Sequence, residues 1–216
     1  DRRRRHGPHR RRGVDRRPHR VHAPARRAST ASPAQRTRTA ESGDPHFLQE
    51  LSFFLSDQYN YFVPADELLV TNGVSQGLDL ICTLYTNPGD TIFVEQPTYH
   101  LALKLFADHQ LHVVGVPMDA DGVDVAAFKE LLSQYQPVFF YTIPVFHNPT
   151  GRTLSLPRRE KLVALSREHN FLIVADEVYQ ALNFSIQPPP PLASFIHSGQ
   201  VISLGSFSKI LAPGLR

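Results

Sequence analysis

The sequence predicts an α/β domain: a mostly parallel sheet held between helices in three α/β/α layers. From Phe47 onward, strand-like and helix-like stretches alternate, which is the signature of successive βα units. Several strand candidates, VFFYTIP and FLIVAD among them, are near-continuous apolar runs, as strands covered on both faces are. A length of 216 residues suits one substantial domain and is short for two.

Taken in order, Pro45–Gln58 reads as a helix, followed by a loop and the strand-like LLVTNG. Ser75–Tyr85 places Leu78, Ile81, Cys82 and Tyr85 on one helical face. The turn NPGD leads to the strand TIFVEQP, the amphipathic stretch Tyr99–His109, the strand HVVGVP and the turn DADG. A helix over Val125–Tyr135 precedes the strand VFFYTIP and the loop HNPTG. SLPRREKLVALSREHN is a further helix, with Ser155 as N-cap and Pro157 in its first turn. The strand FLIVADE, a proline run at 188–191 and the strand VISLGS complete the pattern, and the chain stops at Arg216 in what reads as the middle of a domain.

Charge divides the chain in two. Residues 1–40 hold 14 arginines against two aspartates, a net of +12, whereas residues 41–216 hold 9 basic and 18 acidic side chains, a net of −9. The arginine-rich part has no apolar periodicity and cannot bury enough surface to offset its chain entropy, so residues 1–43 are expected to be disordered or non-native. A polyanion-binding arm and an organelle transit peptide are two further readings of that segment. No run is long and apolar enough for a membrane span. No cluster of metal ligands stands out, so neither a membrane nor a metal is expected. Nucleic acid is not an expected partner either, and a cytoplasmic location is favoured. The single cysteine, Cys82, excludes an internal disulfide and reads as a buried core thiol.

Five motifs, TNGVSQGLDL, VEQPTYH, HNPTG, ADEVY and SFSKILAPGLR, occur in that order. Together they resemble the fold type I aminotransferases of class I/II, over about residues 47–216. The spacing is most similar to the aminoadipate, kynurenine and aromatic aminotransferases, and regulator-type aminotransferase domains share it. The resemblance implies pyridoxal phosphate (PLP) as cofactor and a large PLP-binding domain over 44–216, incomplete and truncated before the small domain. It also implies a transaminase acting between an amino acid and a 2-oxo acid, and a homodimer when complete.

Such a cofactor needs an amine, a carboxylate for its ring nitrogen, donors to its phenolic oxygen, an aromatic face and a phosphate cup. By resemblance, Lys209 in SFSK is the Schiff-base lysine and the catalytic proton carrier. Asp176 ends an apolar strand, where a buried carboxylate needs a cationic partner; the resemblance makes that partner the pyridinium N–H. Glu177 beside it points the other way and is read as structural. Asn148 and Tyr179 match the two donors to the phenolic oxygen, and Tyr99 matches the stacking aromatic. His147 is read as a polar packing residue and His100 has no assigned role.

Gly73–Gly77 opens a helix, where free backbone N–H groups and the helix dipole suit an anion. Ser75 and Gln76 match the family's phosphate contacts there, with Ser206, Ser208 and Arg216 completing the cup. Enzymes of the same fold also carry out elimination and decarboxylation, so a PLP-dependent lyase stays open. So does a non-catalytic PLP-binding domain or inactive fragment, because the family's substrate-carboxylate arginine belongs to the small domain.

Overall fold

The computed structural model describes residues 41–182, 188–197 and 200–214. The expectations for residues 1–40 and for Arg216 lie outside them.

Among the described residues, five α-helices and six strands form the body. The helices are α1 (Pro45–Tyr59), α2 (Val74–Tyr85), α3 (His100–Asp108), α4 (Val125–Leu132) and α5 (Leu156–His169). The strands are β1 (Thr91–Gln96), β2 (His112–Asp119), β3 (Gly122–Val123), β4 (Phe139–Thr142), β5 (Leu172–Asp176) and β6 (Val201–Leu204). The sheet order is β3-β2-β1-β4-β5-β6, parallel throughout except for β3.

Local chemistry sets the helix ends. Asp44 accepts the Phe47 N–H at 2.9 Å and Pro45 starts α1, which stops at Asn60 in the left-handed region (φ 51°). Asp124 accepts from both Ala126 and Ala127 at the start of α4. Ser155 caps α5 by position, without a side-chain bond, and Asn170 ends that helix at φ 55°.

Alternation along the strands divides the core between the two faces of the sheet. Phe93, Phe140 and Ile173 face Phe128, Leu132, Leu162 and Val163 of α4 and α5. Ile92, Val94, Phe139, Tyr141 and Val174 face Leu78, Ile81, Cys82 and Phe106 of α2 and α3. The predicted three-layer α/β architecture is therefore present, and each buried phenylalanine adds about 1.5–3 kcal/mol of burial free energy.

Three local expectations are corrected. LLVTNG forms no strand among the described residues. Leu68 is extended (φ −98°, ψ 137°), but the Val70 N–H goes to Ser42 O at 2.8 Å and Leu69 is 60% exposed. Strand propensity without a neighbouring backbone makes no ladder. The turn DADG is present as expected, and it closes a hairpin in which Met118 and Asp119 pair with Val123 and Gly122. The helix starting at Val125 ends at Leu132 rather than Tyr135, and Tyr99 is the N-cap of α3 rather than its first residue.

Candidate active site

Parallel strands bring their carboxyl ends to one edge of the sheet, where open α/β folds bind ligands. Tyr99 follows β1, Asn148 follows β4, Asp176 and Tyr179 end β5, and the 206–209 turn follows β6. Register aligns Asp176 with Leu204, and the Glu177 N–H donates to Leu204 O at 2.9 Å, so the β5 and β6 ends lie side by side. The first turn of α2 rests on the same place. A Cβ at Gly77 would stand 3.0 Å from a Leu204 methyl and 3.5 Å from Thr71 Oγ1. That close approach brings Ser75 and Gln76 toward the 206–209 turn.

Asp176 is the electrostatic centre. It is 6% exposed, and its Oδ2 accepts the Tyr141 hydroxyl at 2.8 Å while Oδ1 is buried with no hydrogen-bond partner among the described residues. Burial pushes its carboxyl up to about 6. The Tyr141 hydrogen bond pulls it back most, and the Lys209 charge also lowers it, so the two predicted residues feel each other. Desolvation and the adjacent Asp176 carboxylate raise the Tyr141 phenol well above its ordinary value.

The other predicted residues keep donors in reserve. Asn148 and Tyr179 are half-buried, and neither side chain has a hydrogen-bond partner among the described residues. Tyr99 is half-buried against the α2/α3 face of the core, edge-on to the exposed His100 at 5.4 Å. Beside it Thr98 Oγ1 is buried without a partner.

At the head of α2, Gly73 takes φ 80° and no side chain caps the helix, which leaves the first-turn amides of Val74–Gln76 open. Ser75 and Gln76 are exposed there, and Gln76 Oε1 accepts the Asn72 N–H. Ser206 Oγ accepts from Ser208 N at 3.1 Å and lies 2.8 Å from Ser208 Oγ. Lys209, the last residue of that turn, is exposed.

The supporting residues were read only in part from the sequence. Glu177 turns away from the site as predicted: it accepts from Leu192 N, Ala193 N and Ser203 Oγ and lies 4.0 Å from the buried Arg159. His147 is a buried packing residue, as expected, with Nδ1 3.0 Å from Thr150 Oγ1. Its Nε2 stands 3.1 Å from Glu95 Oε2, at ion-pair distance but out of line for a hydrogen bond.

Glu95, Arg159 and Tyr141 are the residues that sequence reasoning missed. Glu95 accepts from Thr142 Oγ1 and Ile143 N, both at 2.9 Å, and so ties the loop carrying Asn148 to β1. Its only sequence signal was a carboxylate inside an apolar strand. An apolar cavity of about 470 Å³ lies between α1, α2 and β6, lined by Leu51, Phe54, Ile81 and Leu84. Lys209, Asp176, Tyr99 and Asn148 do not line it, whereas Ser206 does.

In class, this is an α/β domain with a lysine, a buried carboxylate and an open helix N-terminus gathered at the carboxyl ends of parallel strands. The chain belongs to the class I and II aminotransferase family, whose profile matches residues 18–216 and so reaches back into the arginine-rich stretch. It is 38% identical over 171 residues to aromatic-amino-acid aminotransferase 1 of Thermococcus litoralis, a match covering 77% of this chain and 41% of the relative. It is 36% identical to the 2-aminoadipate transaminase of Thermus thermophilus, covering 71% and 40%. An uncharacterized HTH-type transcriptional regulator of Bacillus subtilis, YisV, is also 36% identical, covering 71% and 32%.

Among solved structures, the multiple substrate aminotransferase of Thermococcus profundus superposes with a TM-score of 0.72 at 36% identity, covering 80% of this chain and 44% of that one. LysN, an alpha-aminoadipate aminotransferase of Thermus thermophilus, gives 0.73 at 32%, covering 80% and 44%. The chain thus spans about 40% of the length of the aminotransferases it matches. Pyridoxal phosphate is the cofactor of the family, and LysN was solved with N-(5'-phosphopyridoxyl)-L-leucine. The residues here fit that group. A buried carboxylate oxygen without a partner among the described residues suits a cationic ring N–H, free amides at a helix start suit a phosphate, and the Lys209 charge is felt by the carboxylate.

Proposed function

We propose that residues 44–216 form the cofactor-binding unit of a PLP-dependent aminotransferase, with the arginine-rich residues 1–43 outside it. The protein transfers an amino group from an amino acid to a 2-oxo acid and works as a homodimer. The observation that carries this reading is Asp176: a 94%-hidden carboxylate whose Oδ1 has no partner among the described residues. An orphaned buried acceptor is unfavourable by about 1–3 kcal/mol or more, and a cationic ring N–H relieves that penalty.

When bound, PLP supplies a carbonyl carbon that a lysine amine can join and a ring that draws electron density from the reacting carbon. Lys209 Nζ is the anchoring amine. Nζ would take the proton from the substrate α-carbon as base and, as acid, deliver it to the cofactor carbon that had joined the amine. Asp176 Oδ1 accepts the ring N–H and keeps that nitrogen charged. Asn148 and Tyr179 donate to the phenolic oxygen, and Tyr99 covers one ring face. The α2 amides, Ser75, Gln76, Ser206, Ser208 and Arg216 hold the phosphate and so fix the distance between the ring and Lys209.

Adding PLP to the purified protein tests the assignment. A visible absorption band is expected with wild type and not with Lys209→Ala, and addition of an amino acid discharges the wild-type band. Identical spectra for wild type and variant would remove Lys209 as the anchor.

A further inference from the structure

We propose that Tyr141 is the positioning residue for Asp176, its phenol O–H occupying Oδ2 so that Oδ1 alone is presented to the cofactor ring. The inference rests on the reading of Asp176 as the partner of the ring nitrogen.

Tyr141 sits in β4 between β1 and β5, in register with Val174, two residues before Asp176 on the same face of β5. It is wholly buried. A phenol there requires an acceptor, and its hydrogen-bond partner is Asp176 Oδ2 at 2.8 Å. Phe106 packs edge-on against the ring with centroids 5.5 Å apart, which holds the hydroxyl in place. One carboxylate oxygen is thereby committed, and the other is left buried and unpartnered. Two equivalent oxygens become one occupied and one available, so the carboxylate plane is set before any cofactor arrives.

The same bond acts on charge. Burial raises the Asp176 carboxyl, and the Tyr141 O–H is the strongest influence opposing it. The Val178 amide and the Lys209 charge assist, while Glu177 works the other way. The charges of Glu95, on β1, and Tyr99, at the start of α3, also act on Tyr141. Without the O–H, Asp176 protonates closer to neutral pH, and a neutral carboxyl cannot retain a ring cation.

The test has one arm without cofactor and one with it. In cofactor-free protein labelled with ¹³C at aspartate carboxyls, Asp176 is assigned from its absence in Asp176→Asn and titrated in wild type and Tyr141→Phe. Loss of a hydrogen bond to a charged group corresponds to an upward movement of about one pH unit or more. 3-Fluorotyrosine at position 141 keeps the shape and strengthens the donor, so the midpoint moves down; this variant decides the matter if Tyr141→Phe fails to fold. With PLP carrying ¹⁵N in its ring, the wild-type ring nitrogen is protonated at pH 7.5 and that of Tyr141→Phe is largely not. An unchanged Asp176 midpoint overturns the proposal, as does an unchanged ring-nitrogen signal alongside a moved midpoint. If PLP never joins Lys209, the function proposed above fails instead, and the cofactor-free titration still judges Tyr141.

Discussion

Asp176 makes folding of the cofactor-free protein depend on pH in a direction opposite to that of an ordinary salt-bridged carboxylate. Its folded value is pushed from 3.8 to about 6, chiefly by burial. The native state therefore binds a proton that the unfolded state has already released between these two values. Stability is fully present below pH 3.8, falls as pH rises through about 6, and is level beyond that with respect to this group. A shift of this size corresponds to about 3 kcal/mol at the far end of the window.

Asp176→Asn removes the charge and keeps the shape. Any packing difference between the two side chains is independent of pH, so the quantity to measure is how the variant's difference from wild type changes with pH. Urea unfolding at intervals from pH 4 to pH 7 should show that difference growing in favour of the variant by up to about 3 kcal/mol, most of it between pH 4 and 6. Glu177 is raised in the same direction by its own burial, but it is common to both proteins and cancels. Parallel stability profiles across the window would refute the argument that Asp176 is held at the expense of stability.

Two further outcomes follow from the packing. Arg159 is fully buried and donates to three carbonyls, Leu154 at 2.9 Å, Pro190 at 2.8 Å and Pro144 at 3.0 Å, with Glu177 4.0 Å away. Arg159→Met strands the Glu177 charge and three carbonyls, and should lower unfolding free energy by about 3–5 kcal/mol, with part of the loss restored by adding Glu177→Gln; chemical denaturation of wild type and the two variants checks both. Cys82 is buried, and its thiol is pushed up to about 12. Its reaction with a thiol reagent at pH 8 should therefore be far slower than that of a free thiol and should reach the free rate only in denaturant.

How much was legible in the sequence differed by level. Strand and helix candidates were marked by apolar runs, and one helix start by Ser155, because these signals act within a few residues. LLVTNG shows where such reading fails. Its composition suits a strand, yet a strand exists only where another backbone supplies partners, and nothing in six residues encodes that.

The site shows the same division. Lys209, Asp176, Asn148, Tyr179, Tyr99, Ser75 and Gln76 were marked by motifs, since each lies in a short segment whose residue types match a chemical need. Tyr141, Glu95 and Arg159 carried no such mark. A tyrosine in an apolar strand is ordinary packing until the order β1-β4-β5 sets it beside Asp176, 35 positions away in the chain.

By itself the sequence determined the α/β class and marked the segments and side chains proposed to hold a cofactor. Only the tertiary structure decided which oxygen of Asp176 is free, which phenol holds the other, and that Glu177 one residue on serves the opposite face. The physical reason is that sequence periodicity sets which way a side chain points along its own strand. Burial, and hence the charge state and hydrogen bonding of a carboxylate, depends on neighbours that only the sheet order brings together.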